Sequence, residues 1–190
     1  MLFSSVAAFI GIAASLAPSA LAWGGPATHD VQVGPNGQLV FDPMTLEANV
    51  GDKVVFHFNP KNHSVTQSSF QMPCTNLSGG FDSGFHPVPA GTGFNQGPTF
   101  EITVDSPAPI WVHCNQMANT PGSHCGAGMV LGINPGAPGT NNSFQDFLDI
   151  ALAIGVALKA EADASAAEAA GLSAYSSIES TAAAAQKTGH

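Results

Sequence analysis

A thiol, an imidazole and a thioether follow one another in Ile110-Trp111-Val112-His113-Cys114, His124-Cys125 and Gly126-Ala127-Gly128-Met129, and a second imidazole stands far upstream in Asn62-His63-Ser64-Val65. Soft sulfur favours Cu(I), whereas imidazole serves both oxidation states of copper. Two imidazoles (His63, His124), one thiolate (Cys114) and a weak axial thioether (Met129) therefore form a donor set for one copper ion that exchanges an electron between Cu(I) and Cu(II).

Three cysteines leave one over once a disulfide forms, and an unpaired thiol outside the cell oxidises unless a metal holds it. Cys114 ends an apolar strand, where its side chain can project into a pocket. Cys125 directly follows His124, and neighbours in extended chain point to opposite faces. If His124 faces the metal, Cys125 faces away and is free to pair with Cys74. His57 and His113 alternate with residues assigned to the other face and are expected to point away from the site. His29, His86 and His190 have no partners by spacing and read as surface residues, as do Met72 and Met117.

The elements that position these side chains are short strands punctuated by Gly, Pro and Asn between Asp30 and Asn134. Candidates are Val31–Val33, Val40–Phe41, Thr45–Ala48, Val54–Phe58, Ser64–Gln67, Thr99–Val104, Ile110–Cys114 and Val130–Ile133. Apolar residues alternate in Lys53 to Phe58 and in Phe100 to Val104, as half-buried strands require. Many short antiparallel strands predict an all-β Greek-key sandwich, with Ser68 to Pro98 as a surface excursion held at few points. Pro135 to Asn142 is a Gly/Pro/Asn linker. Beyond it Ser143 and Asp146 form a capping-box pattern, and Phe144, Phe147/Leu148, Ala151, Ile154/Gly155 and Leu158 recur at helical spacing. This predicts a C-terminal Ala-rich helix with a weaker continuation, read as a solvated stalk; deletion from Pro135 onward is expected to spare metal binding.

The segments Asn62 to Phe70 with Pro73-Cys74, Gly80-Phe81-Asp82-Ser83-Gly84-Phe85, Pro109-Ile110-Trp111, and His124-Cys125-x-x-Gly128-Met129-Val130 to Ile133-Asn134-Pro135 together resemble the fungal extracellular cupredoxins, relatives of the plant phytocyanins. The resemblance covers roughly residues 28 to 136. It implies a cupredoxin-like sandwich, copper on His63, Cys114, His124 and Met129, and a disulfide between Cys74 and Cys125. Nine residues, Asn115 to Ser123, separate the cysteine from the second histidine, where the family usually has about four. Doubling a loop costs only about 0.6 kcal/mol of closure entropy, against roughly 10 kcal/mol or more for metal binding in other sites. Affinity should survive, while the geometry is free to move away from that of a true blue site.

The chain divides into a secretory signal (1–22), a cupredoxin domain (23–136) and a linker with a helical tail (137–190). The signal is read from the apolar run to Leu16 and the small-x-small Ala20-Leu21-Ala22, which predicts a secreted, extracellular protein with no transmembrane segment in its mature form. Export makes Asn62-His63-Ser64, Asn76-Leu77-Ser78 and Asn141-Asn142-Ser143 candidate glycosylation sites. The last residues lack the hydrophobic tail of a lipid-anchor signal, so anchoring is not expected. With four Lys+Arg against 13 Asp+Glu and no basic run, nucleic acid is excluded as a partner.

The expected function is one-electron transfer or extracellular copper handling, without turnover of a substrate, toward a redox partner the sequence does not name. A multicopper oxidase would need His-x-His pairs, which the chain lacks, and a monooxygenase using an N-terminal histidine would need a mature chain that begins with His. The alternative is a metal-free structural protein of the same fold that contacts the cell wall or matrix.

Overall fold

The computed structural model describes residues 25–187, with side chains to residue 173. The signal segment and His190 lie outside the described residues. In chain order the strands are β1 (Thr28–Val33), β2 (Phe41–Asp42), β3 (Thr45–Leu46), β4 (Lys53–Phe58), β5 (Lys61–His63), β6 (Thr66–Ser68), β7 (His86–Val88), β8 (Thr99–Thr103), β9 (Ile110–His113) and β10 (Val130–Ile133), followed by helix α1 (Phe144–Lys187).

One sheet has the order β2-β1-β4-β8, a second has β3-β10-β9-β6, and β5 and β7 form a separate pair. Val31, Val33, Val54, Phe56 and Phe58 of the first sheet share a core with Ile110, Val112, Leu131 and Ile133 of the second, giving a β-sandwich. The strands alternate as their sequences require, with Asp30 and His57 paired on the outer face at 2.7 Å. The sheets are not purely antiparallel: β1 runs parallel to β4 and β3 runs parallel to β10. Alternation within a strand sets which side chains face inward but not the direction of the neighbouring strand, so the pattern held no signal for these pairs.

Both faces of the second sheet are covered. Ile110, Val112 and Cys114 face the sandwich core, while Trp111 and Val130 face a second cluster containing Phe147, Ala151 and Cys125. This is why β9 reads as a near-continuous apolar run. The outer cluster is aromatic, with Trp111 and Phe147 ring centroids 4.5 Å apart and Phe70 5.2 Å from Trp111.

Helix α1 starts at the expected cap. The Ser143 hydroxyl donates to Asp146 Oδ2 at 2.6 Å and accepts the Asp146 N–H at 3.3 Å. Phe147, Ala151 and Gly155 are buried against the body; beyond Leu158 the described side chains are almost all exposed. The solvated-stalk expectation thus fails for the first three turns and fits only the described side chains beyond Leu158.

The stretch from Ser68 to Pro98 is tied down at more points than expected. It contributes β7, which pairs with β5 in the register His63 to His86. Its backbone bonds to Gln67 through Leu77 and Phe81, and Cys74 is bound by a disulfide. The sequences Lys-Asn-His and His-Pro-Val carry no apolar alternation, which hid these two strands.

Candidate metal centre

The site lies at one end of the sandwich, where β5 ends in His63 and the chain leaving β9 begins with Cys114. His63 Nδ1 is 3.9 Å and His124 Nδ1 is 3.5 Å from Cys114 Sγ. Ligand atoms of all three residues lie within 4.8 Å of one another, and this is the only such group of histidine, cysteine or acidic side chains among the described residues. Bonds of about 2.0 Å to imidazole and about 2.3 Å to thiolate, taken from zinc sites, would separate nitrogen from sulfur by roughly 3.5–3.7 Å at angles between tetrahedral and trigonal. The spacing therefore fits a single bound ion, and the donor chemistry suits copper.

His63 and Cys114 have no exposed surface, and His124 retains 8%. Met129 is fully buried in the same core cluster as Cys114, and its carbonyl accepts the Cys114 N–H at 3.1 Å. Burial sets the protonation behaviour. It pushes the Cys114 thiol upward, against hydrogen bonds from Ser64 and Gln116. It lowers His63 to about 4, with the neighbouring His124 as the next cause, and it lowers His124 as well. A neutral imidazole is the form that ligates a metal, so the pocket holds its histidines in the binding state; the thiol proton must leave when an ion enters.

Cys74 and Cys125 are joined, leaving buried Cys114 as the free thiol. The reason His124 and Cys125 diverge is helical rather than extended. His124 has φ −62° and ψ −43° and caps a short 3-10 turn over Cys125–Ala127, so successive side chains rotate around an axis. His124 then turns inward and Cys125 joins the outer cluster.

Several histidines lie elsewhere. His57 bonds Asp30, and His113 is buried outside the ligand group. His29 and His86 are not plain surface residues. His29 lies 3.0 Å from Asp52, and His86 stacks on Phe58 at 4.2 Å while contacting the Ser83 carbonyl at 3.1 Å. Met72 and Met117 are exposed.

Three residues of the site went unread in the sequence. Ser64 donates its backbone N–H to Cys114 Sγ at 3.4 Å, and its hydroxyl accepts the Asn115 N–H at 2.8 Å, fixing the sulfur from both sides of the chain. Gln116, inside the long loop, accepts from Asn62 Nδ2 at 2.9 Å through its side chain and from the His124 N–H at 3.1 Å through its carbonyl. Gly34 packs against the His63 ring, where a methyl group would overlap Nε2. Ser64 is visible in the sequence as part of a sequon and Gly34 as turn punctuation. Neither signal discloses the contact.

Among the sequons, Asn62 has its amide nitrogen engaged and its oxygen buried. Asn76 and Asn141 are exposed. No helix among the described residues is long and apolar enough to cross a membrane.

No protein-family model matches the chain. It is 30% identical over 128 residues to a protein described as probable GPI-anchored cupredoxin-1 from Arthroderma benhamiae, covering 67% of this chain and 61% of that one. It is 34% identical over 116 residues to an extracellular serine-rich protein of the same organism, covering 61% of this chain and 42% of that one. The chain thus spans less than two thirds of the length of either curated relative. Among solved structures, a purple cupredoxin from Nitrosopumilus maritimus and a plastocyanin from Dryopteris crassirhizoma each align with a TM-score of 0.39 at 17% identity, covering 55% of this chain and 96% of theirs.

Proposed function

Starting from a chain that resembles the fungal cupredoxins, we propose that it is an extracellular copper-binding protein whose single type 1-like site carries one electron at a time or handles copper outside the cell. The observation that carries this reading is the buried convergence of His63 Nδ1, Cys114 Sγ and His124 Nδ1. Met129 would supply a weak thioether as the fourth donor, supported by its complete burial beside Cys114. Copper, when bound, supplies the one-electron Cu(I)/Cu(II) couple.

The chain's own residues account for the rest. Two sheets and the Cys74–Cys125 bridge hold the ligand segments from both sides, so the donors change little between oxidation states. The Ser64 N–H withdraws charge from the sulfur. His124 is the one proposed ligand with any exposed surface, which makes its ring edge the route by which an electron reaches a partner. We read the protein as a carrier rather than an enzyme, since two imidazoles and a thiolate with a thioether nearby are the donors of a one-electron copper site.

Strand crossings between the two sheets support the Greek-key connectivity expected for such a domain. Secretion agrees with the names of the two relatives, and Asn76 and Asn141 are the proposed glycan acceptors. The metal-free structural alternative loses ground because the lengthened loop still returns His124 to Cys114.

Titration of the purified full-length protein with Cu(II) tests the reading. It should give an intense visible thiolate-to-copper band at one ion per chain, and Cys114→Ser should abolish the band while strand content persists. A colourless protein that retains no copper overturns it.

A further inference from the structure

The stretch His124 to Met129 lies between two environments. One side carries the inward-turned His124 and Met129. The other lies under the first three turns of α1. At Gly155 a methyl group would overlap the Gly126 carbonyl oxygen, and at Gly126 a methyl would come within 2.7 Å of the Gly155 Cα. Helix and loop therefore touch backbone to backbone. A methyl at Gly128 would meet Leu148 Cδ1 at 3.3 Å and Leu152 Cδ2 at 3.4 Å, so these leucines roof the next turn of the loop. Phe147 and Ala151, fully buried in one cluster with Cys125, complete the contact.

The loop's hydrogen bonds are almost all local, within the turn itself, with the Gly126 N–H on the Ser123 hydroxyl at 3.0 Å. Ala127 N–H reaches the Ser123 and His124 carbonyls, Gly128 N–H reaches Cys125, and Met129 N–H returns to the His124 carbonyl at 3.0 Å. These bonds hold the shape of the turn, and the Cys74–Cys125 bridge ties it to a distant segment at one point. Where the closed turn sits against the sandwich is left to that bridge, to Gln116 at His124 and to the helix that covers it.

We propose that the first three turns of α1 are a positioning element for the metal centre, with Gly155 seated on Gly126 and Leu148 and Leu152 on Gly128 setting where His124 and Met129 stand. The helix is then part of the site's support and not an appendage, which revises the expectation that deletion from Pro135 onward spares metal binding. The spectroscopic part of the proposal rests on the proposed copper site. The mechanical part does not.

Two full-length variants test it. Gly155→Val drives a branched side chain into the Gly126 carbonyl. The double variant Leu148→Ala/Leu152→Ala removes the roof over Gly128 without adding bulk, and Val156→Ala, at a position 68% exposed, is the control. Amide exchange in the metal-free protein should accelerate at Ala127, Gly128 and Met129 by about tenfold or more in both variants, with amides of β1 and β4 unchanged. With Cu(II), both variants should shift the charge-transfer band and the copper hyperfine splitting. Val156→Ala should do neither. Unchanged exchange in both variants, or equal acceleration throughout the sandwich, overturns the proposal. So does faster loop exchange with an unaltered copper spectrum, because the ligands would then not depend on the loop's seat. A parent that binds no copper removes the proposed function and with it the positioning of ligands, while the exchange experiment still decides whether the helix holds the loop.

Discussion

Replacing Gly34 with Ala should destabilise the metal-free protein more than any ordinary Gly→Ala change, and Gly37 provides the reference. Both glycines have left-handed backbone, with φ of 70° and 72°. A Cβ in that region costs about 1–2 kcal/mol by contact with the following carbonyl. At Gly37 this is nearly the whole effect, because the nearest atom to an added methyl is Lys61 Cε at 3.7 Å. At Gly34 the methyl would instead overlap His63 Nε2, with both adjacent ring carbons 2.8 Å away. The ring has no free direction of retreat, since it is fully buried, with the Cys114 sulfur 3.9 Å from Nδ1 and the His124 ring centroid 5.1 Å from its own. Forced overpacking of this kind costs about 1–3 kcal/mol. Gly34→Ala should therefore lose about 2–5 kcal/mol, against about 1–2 kcal/mol for Gly37→Ala. Chemical denaturation of the two variants, with equal slopes, measures the difference. Copper titration should find Gly34→Ala weakened and Gly37→Ala close to the parent. Equal losses in the two variants would show that His63 is not pressed against residue 34.

Replacing both Cys74 and Cys125 with Ala removes a bridge that spans 51 residues, a loss of about 4 kcal/mol in the chain-entropy account. Denaturation midpoints measure it, and the copper band should persist but shift, because the bridge holds the segment that carries His124; an unshifted band would mean that the sheets and helix fix the ligands without it. Asp52 accepts hydrogen bonds from His29, Ala27 and Asn49, which together hold its carboxyl at about 2, below the ordinary 3.8. A depressed carboxyl stabilises the fold fully above pH 4 and progressively less as pH falls toward 2. Melting curves should accordingly show Asp52→Asn less stable than the parent near neutrality and indistinguishable from it near pH 2.

The sandwich was legible because its strands each bury one or two apolar faces, a pattern written in consecutive residues. The grouping of His63, Cys114 and His124 was legible because copper chemistry restricts the residue types and because Cys114 was the odd cysteine. The features that stayed hidden depend on contacts between distant segments. Lys61-Asn62-His63 and His86-Pro87-Val88 pair as β5 and β7 without any apolar rhythm to announce it. The parallel pairings of β1 with β4 and β3 with β10 leave no mark in either strand alone. Gly34 reads as turn punctuation, and only the fold shows the histidine that requires it. The capping box and helical spacing after Ser143 disclosed an apolar stripe on α1, but a stripe does not state what it covers.

The nine residues between Cys114 and His124 bear on how a site tolerates change. Closing the longer loop costs little entropy, so the cost of lengthening lies in losing control over where His124 stands. The structure supplies that control from outside the loop's two ends. Gln116 ties the loop's interior to Asn62, the residue before the first histidine, and its carbonyl receives the His124 N–H. Helix α1 presses on the turn just after His124. A short loop has its ligands fixed by covalent geometry, whereas a longer one needs packing and hydrogen bonds to do the same. Gln116 and Gly155 lie outside the donor set, yet the position of the second histidine depends on both.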